Sequence, residues 1–356
     1  MTRTTGWLVA VLIACAVPAM AHPAPFSYLD IRLEQTTLDV AMVVHVLDVA
    51  HDLKIDEGAL LDPATLRPHA GGIVALLRGR FEISVDGRSL SEGAWGVPEA
   101  LPDRQALRLT VRYDTGQPAG LVTIAAHLFP YDPAHQTFVN VYERDSLMSQ
   151  AILGNDRRQV DYFAGTPQGT FAVVRKFLPS GIHHILIGPD HLLFLVGLLL
   201  LGGSLRQLVL LVTAFTLAHS VTLSLAALNI VSPPTWIVEP AIALSIVYVG
   251  ADNLTVRGGR DVRVWIAFAF GLIHGFGFAN VLREMDLPAR ALGWSLFSFN
   301  LGVEVGQLAV VVAVTSAITA VRARSEVAAR RLAIGGSVIV IAAGAFWFIE
   351  RVFGRG

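Results

Sequence analysis

The sequence predicts a membrane α-helical bundle of six transmembrane helices with an N-terminal β-sandwich-like extracytoplasmic domain. Three observations lead to that expectation. Of 356 residues, 53% are hydrophobic and 15% charged, whereas a soluble domain is roughly 45–50% apolar and about 25% charged. The mean hydropathy of +0.57 points the same way. The charge is also unevenly placed. It lies mostly before residue 170, among short alternating runs, while the later part consists of apolar segments near the roughly 20 residues that a span needs. The net charge of −1 excludes the basic surface that nucleic-acid binding selects for.

Taken in order, residues 1–21 read as a signal peptide: Arg3, an apolar stretch from Trp7 to Val17, then Ala19-Met20-Ala21. A competing reading takes Leu12-Ile13-Ala14-Cys15 as a loose lipobox. Cys15 is the single cysteine, so the exported chain has no disulfide and no thiolate ligand. Cleavage after Ala21 would make His22 the first residue, where amine and imidazole together could chelate a divalent metal. The plainer reading is that His22-Pro23 merely follows the cleavage site.

Residues 22–170 form the expected β domain. Alternating runs at Phe26 to Leu33, Leu38 to Val46, Phe81 to Val85, Leu107 to Tyr113, Leu121 to Ala125 and Thr137 to Tyr142 read as antiparallel strands. Asp52 to Leu61 reads as a short helix. Residues 171–182 are expected to form a linker or interfacial segment, and 183–356 the bundle. Its spans fall at about 183–203, 206–229, 236–253, 263–282, 291–321 and 330–350. Arg206, then Arg257, Arg260 and Arg263, then Arg322, Arg324, Arg330 and Arg331 fall in the expected inner loops. The outer loops carry only Arg283 and Arg290. This positive-inside bias places the N-terminal domain and the C-terminus outside the cytoplasm of a bacterial-type inner membrane.

Ionisable residues inside a span cost roughly 2.5–3.5 kcal/mol each near its centre, yet this bundle keeps several. The first expected span has His183, His184, Asp190 and His191, and on one straight helix His184 and His191 share a face. The second has His219 and Ser220, the third Glu239, the fourth His274. In the fifth, Asn300, Glu304 and Gln307 form one polar stripe. A single helical histidine is more often a packing residue than a ligand. Several at similar depth on different helices, with carboxylates among them, point to a shared site in the outer half of the bilayer. The candidate metal positions are His184, Asp190, His191, His219, His274 and Glu304, with His183, Glu239, Asn300, Gln307 and Ser220 supporting. Imidazole and carboxylate donors suit nickel, cobalt or zinc rather than Cu(I).

The stretches Gly188-Pro-Asp-His-Leu-Leu-Phe194, Phe215-Thr-Leu-Ala-His-Ser-Val-Thr222, Val238-Glu-Pro-Ala-Ile-Ala-Leu-Ser245, Phe270-Gly-Leu-Ile-His-Gly-Phe-Gly-Phe-Ala279 and Phe299-Asn-Leu-Gly-Val-Glu-Val-Gly-Gln307 resemble the HupE/UreJ group. The branch with a long exported N-terminal region is the nearer likeness. The resemblance implies a nickel or cobalt permease and carries His184, Asp190 and His191 over as metal-handling positions. It departs from the group's nickel permeases at Ile273-His274-Gly275-Phe276-Gly277. That stretch has one histidine in place of a richer FHGxAHGxE motif, and Glu304 is the candidate substitute.

The expected function is therefore a divalent-metal permease whose partners are the metal ion, the lipid bilayer and an extracytoplasmic protein docked on the β domain. One alternative is an intramembrane metal-dependent hydrolase. There His184, His191, His219 and His274 would hold zinc, Asp190 or Glu304 would activate water, and Ser220 would assist. A second alternative is a non-transporting metalloprotein assembly factor.

Overall fold

The computed structural model describes residues 26–255, 261–278 and 287–354. The leader, Cys15 and His22 lie outside the described residues. The chain divides into two compact units, one ending near Val160 and one containing Ala119–Val122 and everything from Asp161 onward.

The first unit is β-rich. The strands are β1 (Phe26–Leu33), β2 (Thr37–His45), β3 (Phe81–Val85), β4 (Arg88–Ser89), β5 (Ala94–Trp95), β6 (Glu99–Leu101), β7 (Ala106–Asp114), β8 (Leu121–Ala126), β9 (Gln136–Glu143), β10 (Ser146–Leu153) and β11 (Gln159–Phe163), of which β8 and β11 have residues in both units. One sheet runs β10–β9–β1–β2–β7–β5, with β6 also on β7, and a second runs β11–β8–β3–β4. The period-two pattern does its work here: Leu38, Val40, Met42 and Val44 of β2 are all fully buried while their neighbours face out. Not every pairing is antiparallel, since β1 and β9 run parallel. The run Ser146–Leu153 has no alternating signal because it is an edge strand with an irregularity between Leu147 and Ser149.

The expected helix from Asp52 to Leu61 is instead two. Helix α1 (Val46–Leu53) stops where Lys54 turns left-handed at φ 55°, and α2 (Glu57–Leu61) restarts with Asp56 accepting from the Ala59 amide. Helices α3 (Pro63–Leu66) and α4 (Ala70–Arg78) complete this connection.

The second unit contains α5 (Pro167–Ile187), α6 (Pro189–Leu199), α7 (Leu205–Ala227), α8 (Thr235–Thr255), α9 (Arg263–His274), α10 (Ala289–Arg324) and α11 (Glu326–Phe353). Four of these, α7, α8, α10 and α11, are long and apolar enough to cross a membrane, and the bent pair α5–α6 makes a fifth candidate. The fourth expected span appears as the shorter α9, which passes into a 3-10 turn at Gly275–Phe278. Residues 171–182, expected to be a linker or interfacial segment, lie within α5, which opens at Thr166, whose hydroxyl accepts from the Gly169 amide. Within it Lys176 pairs with Asp161 at 2.8 Å.

Helices α5 and α10, α8 and α11, and α7 and α9 pack most closely. Small residues permit the approach. A Cβ on Gly302 of α10 would run into the Leu178 carbonyl of α5. The outward faces are apolar: Leu210, Leu217, Val221, Val312, Ile339 and Phe346 are all more than half exposed. Such a surface fits lipid, not water.

Candidate metal centre

Pro189 shapes the site. Proline has no N–H with which to continue α5 and disfavours helical backbone before it. Gly188 is accordingly extended (φ −74°, ψ 103°), and the axis turns by 68°. Pro189 then starts α6, where a missing N–H is harmless. Glycine is needed at the joint, because a Cβ there would lie 2.7 Å from the His184 carbonyl and 3.0 Å from His191 Nδ1.

This corrects the expectation that His184 and His191 share a face of one straight helix. Seven residues on a straight helix would separate them by roughly 10 Å along its axis. Across the bend their ring centroids are 4.6 Å apart, one ring on α5 and the other on α6. His219 of α7 joins them, with ring centroids 6.3 Å from His184 and 6.1 Å from His191. A ligand-capable atom from each of the three lies within 4.8 Å of the other two.

Neighbouring groups decide which nitrogens carry lone pairs. Asn300 Nδ2 donates to the Leu296 carbonyl at 2.8 Å, which turns Oδ1 toward His219 Nδ1 at 3.3 Å. An amide oxygen only accepts, so Nδ1 carries the proton and the lone pair of His219 is on Nε2. That Nε2 is buried without a hydrogen-bond partner among the described residues, as is His191 Nε2. His274 follows the same logic. Ser245 spends its hydroxyl proton on the Ile242 carbonyl at 2.6 Å and so accepts from His274 Nε2 at 3.0 Å. The His274 lone pair is then on Nδ1, also buried and unbonded. Its ring centroid is 5.1 Å from that of His191. Orienting a ligand through its second nitrogen is the usual support of a metal site.

Asp190, His274 and Glu304, the other expected metal positions, fall outside this three-residue group. Asp190 is turned toward Arg351 of α11, whose Nη2 donates to Oδ2 at 2.7 Å. Glu304 accepts from the Thr213 hydroxyl at 2.6 Å, and its Oε2 is buried and unbonded. Gln307 accepts from Thr216 at 2.9 Å. A polar seam therefore runs along α7 and α10 from His219 and Asn300 to Glu304 and Gln307. Ser220 donates to the Thr216 carbonyl of its own helix, and His183 is exposed. The Glu239 backbone carbonyl accepts from Arg351 Nη1 at 3.1 Å.

Sequence reasoning missed Arg351, Ser245 and Thr213. Arg351 stands one residue past the last expected span, so it read as a flanking charge. Ser245 and Thr213 carry no sequence signal that sets them apart from other hydroxyls of apolar helices. Only their partners distinguish them.

The site offers imidazole nitrogens and carboxylate oxygens with no thiolate among the described residues, a donor set for nickel, cobalt or zinc. A search of curated proteins returns no match. A model described as HupE / UreJ protein matches residues 163–351, which takes in α5 to α11 up to Arg351. With more than half of its length covered by that match, the chain belongs to the HupE/UreJ family.

Proposed function

We propose that the protein is a divalent-metal permease, for nickel or cobalt, that receives its substrate at His184, His191 and His219. The observation that carries this reading is the convergence of three imidazoles from three helices within 4.8 Å inside an apolar bundle. His274, its ring centroid 5.1 Å from that of His191, is the candidate fourth donor. The site lies in the outer half of the bilayer, with the N-terminal domain outside.

The onward route follows the α7–α10 seam. Thr213, Thr216, Glu304 and Gln307 line a polar strip through otherwise apolar helices, and the bare Glu304 Oε2 is the next oxygen donor after the histidines. A permease needs such weak successive stations, since a site that binds too well does not release. The hydrolase reading has less support. Asp190 is held by Arg351, Glu304 accepts from Thr213, and Ser220 is bonded to its own helix.

Titration calorimetry on the purified protein with Ni2+, Co2+ and Zn2+, paired with flux into vesicles containing a metal-sensitive dye, tests the proposal. His191→Ala and His219→Ala should each lose both saturable flux and at least tenfold in affinity, or about 1.4 kcal/mol. Stoichiometric binding without flux would reject transport and favour a resident metal.

A further inference from the structure

We propose that Arg351 is a resident counter-cation that competes with the substrate metal for Asp190 and so keeps metal binding weak enough for release. The inference rests on the metal reading above and adds a residue that controls it.

Asp190 adjoins His191 at the start of α6, so its carboxylate is the negative group nearest in sequence to the histidine cluster. One of its oxygens is already taken: Arg351 Nη2 sits 2.7 Å from Oδ2. The other, Oδ1, is buried and accepts no hydrogen bond among the described residues. Both side chains are largely enclosed, at 22% exposure for Arg351 and 19% for Asp190, so solvent screens the pair only in part. A metal ion bound at Oδ1 would have to share this carboxylate with the guanidinium on Oδ2.

The charge count gives the consequence. Imidazoles bind metal in their neutral form and contribute no charge to offset a divalent ion. Asp190 alone would offer −1 beside the cluster, and the Asp190–Arg351 pair offers zero. An M2+ drawn from the histidines to Asp190 would meet that guanidinium, and repulsion across one carboxylate would make one of the two cations give way. Arg351 is placed to do so. It is near the C-terminal end of α11, its Nη1 has a second hold on the Glu239 carbonyl at 3.1 Å, and Trp347 lies one turn back with its ring 6.0 Å from the guanidinium carbon. Displacing it from Asp190 therefore loosens the end of α11 from α6 and leaves its contact with α8.

Full-length protein in detergent provides the test, with Ni2+ and Co2+ affinities measured by calorimetry and release measured by chelator chase. Arg351→Gln should bind roughly tenfold tighter and release more slowly, because a repelling charge is gone. Arg351→Lys, which keeps the charge, should stay near the native value. Asp190→Asn should bind more weakly, and the double variant should match Asp190→Asn, since Arg351 acts through that carboxylate. Binding by Arg351→Gln that is equal to or weaker than native binding overturns the proposal, as does an Arg351 effect that persists without Asp190.

Should Arg351→Gln fail to fold, the native protein still decides the matter. Zn2+ should change the Trp347 emission, seen as the difference from Trp347→Phe, and no such change overturns the proposal. If native protein binds none of these metals, the permease reading itself fails. If it binds them and Arg351→Gln is no tighter, only the role of Arg351 is lost.

Discussion

Buried histidines in this protein depend on the group at their second nitrogen, and the two units use this differently. In the bundle, Asn300 and Ser245 each set a tautomer that leaves a buried lone pair with no hydrogen bond among the described residues. In the β-rich unit, His135 Nε2 meets the Ser27 hydroxyl at 3.1 Å and Nδ1 faces Asp48 Oδ2 at 3.6 Å, with Tyr131 donating to Asp48 Oδ1 at 2.5 Å. Ser27, His135 and Asp48 line up like a hydrolytic triad, but their exposures are 0%, 7% and 0%, so no substrate reaches the hydroxyl. The group acts on stability instead.

Burial holds His135 below its ordinary 6.5 and Asp48 above its ordinary 3.8. The stability that neutral His135 contributes is present above pH 6.5 and lost as pH falls through its depressed folded value. The Asp48 contribution has the opposite sign: it is present below pH 3.8 and lost as pH rises through the raised folded value. Thermal melts of the β-rich unit against pH should show His135→Gln flattening the acid limb. Asp48→Asn, which keeps an acceptor for Tyr131, should flatten the opposite one. Unchanged profiles in both variants would mean that neither group titrates on unfolding.

At the scale of elements, close helix approach positions the site. Gly302 of α10 lies against the Leu178 carbonyl and 3.0 Å from the Ile182 amide of α5, measured from where a Cβ would stand. This contact fixes α5 one turn before His184 and α10 beside Asn300. Gly302→Val should destabilise the bundle by about 1–3 kcal/mol or more through overpacking. Gly293→Ala on the same helix meets nothing within 4 Å and should be neutral or slightly stabilising. Thermal melting and monodispersity in detergent check the pair. Equal behaviour of the two variants would contradict the α5–α10 packing. At the other end of α6, buried Arg263 donates to the carbonyls of Leu198 at 2.9 Å and Gly202 at 2.8 Å. A residue counted in sequence as a loop charge thus closes the last turn of a short helix.

For the whole molecule, orientation is the property with the widest consequences. Ser232 lies between α7 and α8, while Ser325 separates α10 from α11 among Arg322, Arg324, Arg330 and Arg331. The positive-inside bias predicts that the arginine-flanked turn is cytoplasmic. With Cys15 replaced, a membrane-impermeant thiol reagent applied outside intact cells should label Ser232→Cys and spare Ser325→Cys. The reverse pattern would invert the topology and put the proposed outer-half site on the cytoplasmic side.

The division between the two halves, most strands and the apolar helices were legible in the sequence because hydrophobic periodicity and length are local properties. So were His184, His191, His219 and His274 as polar exceptions in apolar helices. The break at Gly188-Pro189 was visible as residues, but its effect was not. A proline ends one hydrogen-bond ladder locally, whereas the direction of the next helix depends on what packs around it. That direction brings His184 and His191 together as rings on two helices, admits His219, and leaves Asp190 to Arg351 from the far end of the chain. A pairing across 161 residues has no local signature. Composition and pattern determined which side chains had to be hidden from lipid, and tertiary packing decided which of them meet.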